Sequence, residues 1–307
     1  MSAIRPPRIE RGQTLGIVAP AGPVNVDRLR HGLGRLGDAF RLKIAPSLLG
    51  DRAPDLPSYL SATDAVRADE FNAMLRDRDV RAILLARGGY GITRILPRLD
   101  ADALRADPKP IVGFSDATAL LAWAWAAGVR GIHGPMGVQM GALPDGDIAA
   151  LVTMLTEARA PGVRPWSLAV HGKGRYRGPL VAGNLTLFSL MVGTPWPLPL
   201  RGAIALIEEV RERPYEIDRY LTHLALTGEL AKPAAVVLGD FTRCAEDNDP
   251  PGAAVATVLE RLHATGTPAA VGAPVGHGDR NEPLPFGADS VLDLDARTLE
   301  ILEPAVQ

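Results

Sequence analysis

The chain has 307 residues, 47% hydrophobic and 22% charged, with a formal net charge of −2 at pH 7. Those proportions exclude a disordered chain, which lacks the apolar surface to offset its ordering entropy, and the small net charge offers no footprint for nucleic acid or anionic lipid. The length fits two domains of ordinary size, and the single cysteine, Cys244, excludes an internal disulfide framework and any cysteine-based zinc site.

The opening residues, MSAIRPPRIERGQTLGIVAPAG, place prolines and charges where a secretory leader needs an apolar core. The longest apolar run, 119–127, is far short of the ~20 residues that cross a bilayer. A cytoplasmic location with no membrane partner is the expectation.

In chain order, 14–19 (TLGIVA) reads as a strand, and 26–40 carries apolar residues at helical spacing behind Asn25 as N-cap. A short strand at 42–46 follows, then a helix at 63–75 with Thr63 as cap and Val66 in its apolar stripe. Next come a strand at 82–86, the glycine loop RGGYG and a helix from about Ile92. A strand at 111–114, a helix after Ser115, a strand at 129–133 and a helix from about Asp147 complete this half. Strands alternating with helices predict a parallel sheet with both faces covered.

Between 159 and 178 the periodicity lapses into RAPGVRPWSLAVHGKGRYRG, which reads as a linker. It separates an N-terminal domain, 1–158, from a C-terminal domain, 179–307. The second half shows a short helix at 183–192, a strand at 203–207, a helix at 215–226, a strand at 234–238, a helix at 253–264 and a strand at 268–271. The closing DSVLDLDARTLEILEP alternates at period two, the pattern of a hairpin.

Ser115 sits in GFSDAT, between a β-type run and a helical one. At the carboxyl end of a strand it lies where α/β proteins gather ligands. Ser115 or Asp116 could simply cap the following helix. A nucleophile turn instead needs small residues two before and two after the serine, and Gly113 and Ala117 meet that need. Capping and catalysis are compatible, so both readings stand at this point.

A nucleophilic serine requires a base. Of six histidines, His31 and His263 lie on polar helical faces, His171 in the linker and His223 within a helix. His133, in GIHGPMG, and His277, in VGHGDRNEPLPFG, lie in glycine-flanked segments from which a ring can reach a site. A carboxylate to orient the imidazole could come from Glu208 or Glu209, which close the apolar strand GAIALIEEV, unless both form a solvated strand end.

The loop ARGGYGITRIL matches neither a dinucleotide fingerprint nor a P-loop, so a nucleotide-binding module is weakly supported. Ending the strand next to that of Ser115, the loop could instead give an oxyanion a second backbone donor, with Gly89 as the candidate. A zinc hydrolase using His133, His277 and a carboxylate would need a ligand spacing such as H-E-x-x-H, which is absent. Cys244 reads as a buried, inert thiol.

Taken together, VAPAGP, LLARGGYGITRILPRLD, PIVGFSDATAL, GIHGPM, VAGNLTLFSLMVGTP, LIEEVRERPYEIDRYLTHL and VGHGDRNEPLPFG resemble, in order, the motifs of the LD-carboxypeptidases of the muramoyltetrapeptide carboxypeptidase type, a family of serine peptidases. The resemblance implies an N-terminal parallel-sheet domain of flavodoxin or amidotransferase-like form and a smaller C-terminal mixed β/α domain. It implies a triad of Ser115, Glu208 and His277, an oxyanion hole from the backbone of Asp116 with Gly89, and no metal or cofactor. The implied reaction removes the terminal D-alanine from peptidoglycan tetrapeptides. Arg87 and Arg280 are candidate partners for substrate carboxylates, and a homodimer is implied by the resemblance alone. Two departures stand out: Glu208-Glu209 where the family usually has ED, and Ala182-Gly183-Asn184 where it commonly has GGN. Within the same family, hydrolases similar to microcin C self-immunity proteins cleave acyl-sulfamoyl adenylates, and a nucleotide- or peptide-binding module is the alternative from another class.

Overall fold

The computed structural model describes residues 3–50 and 52–307. The chain divides into two units: residues up to 159 joined by 282–285 and 304–307, and residues 160–281 joined by 286–303.

Unit 1 is built on a six-stranded sheet. Strands β1 (Thr14–Val18), β2 (Arg41–Ile44), β3 (Val80–Leu85), β4 (Ile111–Gly113) and β5 (Ile132–His133) are parallel, in the order β5-β4-β3-β1-β2. Helices α1 (Val26–Gly34), α2 (Asp64–Arg76), α3 (Ile92–Ile95), α4 (Ala101–Ala106), α5 (Ala117–Ala126), α6 (Gly137–Met140) and α7 (Asp145–Thr156) occupy the connections. β3 and β4 are buried along almost their whole length, as a sheet covered on both faces requires. The strand order reverses between β1 and β3, so the loops after these two strands flank the crevice where such sheets bind ligands.

The expected caps form. Oδ1 of Asn25 accepts from the Arg28 N–H at 2.9 Å, and Oγ1 of Thr63 from the Val66 N–H at 3.3 Å. Val66 does not face the core: it is 40% exposed, and the buried face of α2 carries Arg67, Ala68, Phe71, Met74 and Leu75. Here an arginine occupies a position that periodicity assigns to an apolar residue. Trp123 of α5 meets Phe71 edge-to-face with centroids 6.2 Å apart. Lys109, fully buried, donates from Nζ to the carbonyls of Met74, Leu75 and Asp77, satisfying acceptors that the end of α2 leaves open.

Unit 2 contains β6 (Gly162–Val163), β7 (Ala169–His171), β8 (Arg175–Asn184), β9 (Ile204–Val210), β10 (Ala235–Thr242) and β11 (Ala269–Val271), with helices α8 (Leu185–Leu190), α9 (Pro214–Leu226) and α10 (Ala253–Ala264). Next in the chain, β12 (Leu284–Pro285) returns to unit 1 and pairs antiparallel with β5. β13 (Asp289–Asp293) and β14 (Thr298–Ile301) then form the expected hairpin. The eight-stranded sheet runs β6-β14-β13-β8-β9-β10-β11-β7, parallel from β8 through β11 and antiparallel outside.

Two further features differ from the sequence reading. Residues 159–178, expected as a linker, supply β6, β7 and the start of β8, because their backbones pair with β14, β11 and β13 at distant positions that local composition does not reveal. β9 continues to Val210, so Glu208 and Glu209 lie inside the strand rather than at its close; β10 keeps pairing with it as far as Thr242.

Candidate active site

β4 ends at Gly113 and α5 begins at Ala117, so the chain turns through Phe114, Ser115 and Asp116. Ser115 has φ +62°, a left-handed conformation costly for a residue with a Cβ. A Cβ on Gly113 would lie 2.7 Å from that of Ala117, so both positions must stay small. Asp116 stands at the N-cap of α5, but its side chain makes no capping bond there. Instead Oδ2 accepts from the N–H of Ile92 at 2.9 Å. Burial pushes the Asp116 carboxyl up to about 6, against the lowering effects of that N–H and of Arg67.

The glycine loop after β3 reaches the serine. A Cβ on Gly88 would meet Cβ of Ser115 at 3.2 Å and Oγ at 3.4 Å. Gly89 has φ +117°, and a Cβ there would lie 3.3 Å from the backbone of Gly22. The Gly22 N–H donates to the Gly88 carbonyl at 3.1 Å, and in a trans peptide this directs the Gly89 N–H away from Gly22. Arg87 is exposed and donates from Nη1 to the Pro23 carbonyl at 2.5 Å, bracing the turn after β1 with one of its five N–H groups. His133 is a fully buried residue of β5 with its ring packed edge-on against Phe114, centroids 5.9 Å apart, and not a loop residue.

In unit 2, successive residues of β9 point to opposite faces, which separates the two glutamates. Glu208 is fully buried, and its Oε2 lies 2.6 Å from Nδ1 of His277. The loop bearing His277 can lie on that carboxylate because Gly276 has φ +134°, and a Cβ there would come within 3.0 Å of Cβ of Glu208. Oδ1 of Asn281 accepts from the Gly276 N–H at 3.1 Å, and the Asp240 carboxylate accepts from the N–H of Gly278. His277 is thus braced on both sides. Burial raises the Asp240 carboxyl above the usual range.

Glu209 is held separately. Its Oε1 accepts from Nδ2 of Asn184 and from the Val210 N–H, each at 2.8 Å, and its Oε2 accepts from the N–H and Oγ1 of Thr186, each at 2.8 Å. Burial, followed by the charge of Glu208, raises its carboxyl. Both glutamates are buried, so neither belongs to a solvated strand end. Arg280 is exposed in the loop that follows His277. Cys244 is buried and its thiol is pushed up to about 12, too high for a thiolate nucleophile. Among the described residues there is no group of three or more His, Cys, Asp or Glu able to hold a metal ion, and no helix is long and apolar enough to cross a membrane.

Sequence reasoning missed Arg67, the side chain of Asp116, Asp240 and Asn281. The one local signal was Asn281 itself, a side chain able to brace the backbone of a glycine-rich loop.

A serine on a sharp strand-to-helix turn, and a histidine paired with a buried carboxylate, are parts from which nucleophilic hydrolases are built. The comparisons with known proteins name the family. Residues 15–134 match the LD-carboxypeptidase N-terminal domain and residues 177–292 the LD-carboxypeptidase C-terminal domain. A putative carboxypeptidase of Streptomyces coelicolor is 37% identical over 99% of this chain and 97% of its own. The murein tetrapeptide carboxypeptidase of Pseudomonas aeruginosa is 30% identical, with 91% and 92% covered. Among solved structures, the microcin C7 self-immunity protein in its wild-type apo state superposes with a TM-score of 0.87 at 25% identity, covering 99% of this chain and 100% of that one. The chain belongs to the LD-carboxypeptidase family, and it is a peptidase of that hydrolase class.

Proposed function

We propose that the protein is a serine LD-carboxypeptidase that removes the terminal D-alanine from murein tetrapeptides during cell-wall recycling, with Ser115, His277 and Glu208 as its triad. The observation that carries this reading is Ser115 itself, held at φ +62° on the turn between β4 and α5. The pairing of Nδ1 of His277 with Glu208 directs Nε2 as the nitrogen that exchanges protons.

In this mechanism Oγ of Ser115 attacks the carbonyl before the D-alanine while His277 takes the hydroxyl proton. The backbone N–H of Asp116, with that of Gly89, stabilises the oxyanion. Collapse breaks the C–N bond, His277 returns the proton to the departing amine, and D-alanine leaves. Water, deprotonated by His277, then hydrolyses the acyl-enzyme and restores Ser115. Glu208 keeps the imidazole oriented and stabilises its cationic form throughout. Arg87 and Arg280 are the proposed partners of the substrate carboxylates. The enzyme acts without metal, on a small peptide, in the cytoplasm and as a homodimer.

The second reading is hydrolysis of acyl-sulfamoyl adenylates. It is favoured by the likeness to the microcin C7 self-immunity protein, which has been solved with aspartyl sulfamoyl adenosine. The deciding experiment incubates the wild-type chain and Ser115→Ala with a murein tetrapeptide and with an aminoacyl-sulfamoyl adenylate, reading products by mass spectrometry with and without chelator. Release of D-alanine by wild type alone, undiminished by chelator, supports the carboxypeptidase. Cleavage of the adenylate alone transfers the function to the second reading, and full activity in Ser115→Ala sinks the serine mechanism.

A further inference from the structure

The mechanism uses Ser115 and backbone N–H groups but assigns nothing to the side chain of Asp116. That side chain is buried, and its Oδ2 accepts the N–H of Ile92 at 2.9 Å. The carbonyl of the same peptide group, that of Gly91, accepts from Nη1 of Arg67 at 2.9 Å. A single peptide plane at the end of the glycine loop is therefore gripped from both sides, by the residue after the nucleophile and by a buried arginine. The guanidinium meets the oxygen and the carboxylate meets the amide, the favourable sense for a peptide dipole at each end.

Arg67 is committed to this task. It is 2% exposed, donates from Nη1 to the Pro20 carbonyl and from Nε to the Ala62 carbonyl at 3.2 Å, and pairs through Nη2 with Asp64 at 2.5 Å. One side chain thus ties together the loop after β1, the approach to α2 and the loop after β3. Position 91 is shaped to fit: Gly91 has φ +125°, and a Cβ there would lie 2.8 Å from both Nη1 of Arg67 and Cδ2 of Leu60. At the other end of the loop, Gly88 abuts Ser115.

We infer that Arg67 and the side chain of Asp116 are positioning residues that hold the glycine loop against Ser115 through the Gly91–Ile92 peptide group. The inference rests on the serine mechanism proposed above. If the loop helps hold the oxyanion, which exists only along the reaction path, loosening it lowers kcat and spares KM.

The test uses the full chain with Asp116→Ala, Asp116→Asn, Arg67→Met and Gly91→Ala, all read by amide hydrogen exchange at Ile92 and by kcat and KM for D-alanine release from a murein tetrapeptide. In Asp116→Ala and Arg67→Met, Ile92 should exchange about tenfold faster than in wild type while amides of β3 and β4 keep their protection. In the same variants kcat should fall about 10- to 100-fold with KM within about threefold. Asp116→Asn, whose Oδ1 can still accept the Ile92 N–H, should restore both slow exchange and kcat. Unchanged exchange at Ile92 in Asp116→Ala, or equal losses in the Ala and Asn variants, would overturn the inference. Arg67→Met and Gly91→Ala disturb the same peptide from its other side, so an unfolded Asp116→Ala does not remove the test. If wild type releases no D-alanine, the peptidase reading fails. The exchange data and the rate at which a fluorophosphonate labels Ser115 then still decide whether Asp116 and Arg67 set the loop.

Discussion

Nδ1 of His277 lies 2.6 Å from Oε2 of Glu208, a carboxylate with no exposed surface. In the proposed triad this contact selects the imidazole tautomer, and an amide in place of the carboxylate would keep the shape while favouring the wrong one. Glu208→Gln is therefore expected to lose about 10²- to 10⁴-fold in kcat with little change in KM. Steady-state D-alanine release, alongside a circular dichroism melt showing an intact fold, checks it. A rate within about threefold of wild type would remove Glu208 from the mechanism.

The turn itself should tolerate no added methyl. Because a Cβ at position 113 would sit 2.7 Å from that of Ala117, Gly113→Ala is expected to cost about 1–3 kcal/mol by overpacking. Adding Ala117→Gly should recover part of that loss, since the clash is between those two carbons. Thermal melts of both single variants and the double variant measure the coupling, and strictly additive shifts would refute the contact.

Asp116 makes stability depend on pH in a definite direction. Burial raises its folded pKa from 3.8 to about 6, so the folded chain holds this proton more tightly than the unfolded one. The contribution of the neutral acid is fully present below pH 3.8 and is lost as pH climbs to about 6, a difference of roughly 3 kcal/mol. Asp116→Asn carries no such burden and should melt above wild type at pH 7.5, the gap closing at pH 4. An equal gap at both pH values would mean that ionisation of Asp116 is not its source.

Ser115 should exchange stability for chemistry. Its left-handed φ of +62° costs a non-glycine residue roughly 1–3 kcal/mol, more than the roughly 0.5–1 kcal/mol of extra chain entropy that glycine loses on folding. Ser115→Gly is accordingly expected to be inactive yet about 1 kcal/mol more stable, read by denaturant unfolding. A destabilised Ser115→Gly would show that the hydroxyl's contacts outweigh the strain.

Much of this protein is written in local patterns. The alternation of apolar strands with helical segments was enough for a parallel sheet, because strand and helix periods differ and each repeats within a few residues. Asn25 and Thr63 announced their helices, since a cap acts on a backbone N–H only three residues away. Gly113, Ser115 and Ala117 marked a tight strand-to-helix turn for the same reason: the steric demand lies inside a five-residue window. The seven ordered motifs pointed to the family that the comparisons name.

What required the tertiary structure is whatever depends on partners far along the chain. Glu208 and Glu209 are adjacent and chemically alike, and only the two faces of β9 separate them, one meeting His277 and the other Asn184 and Thr186. His133 looked as available as His277 until β5 enclosed it. Residues 159–178 read as a linker because strand pairing with distant partners leaves no mark on local composition. Arg67 and Asp116 meet at the Gly91–Ile92 peptide from opposite sides, 24 positions away in each case. The sequence by itself determined the family, because its motifs and the steric demand of a tight turn are both local. Folding decided which side chains are buried and which of them pair, because burial and pairing are set by residues that sequence distance keeps apart.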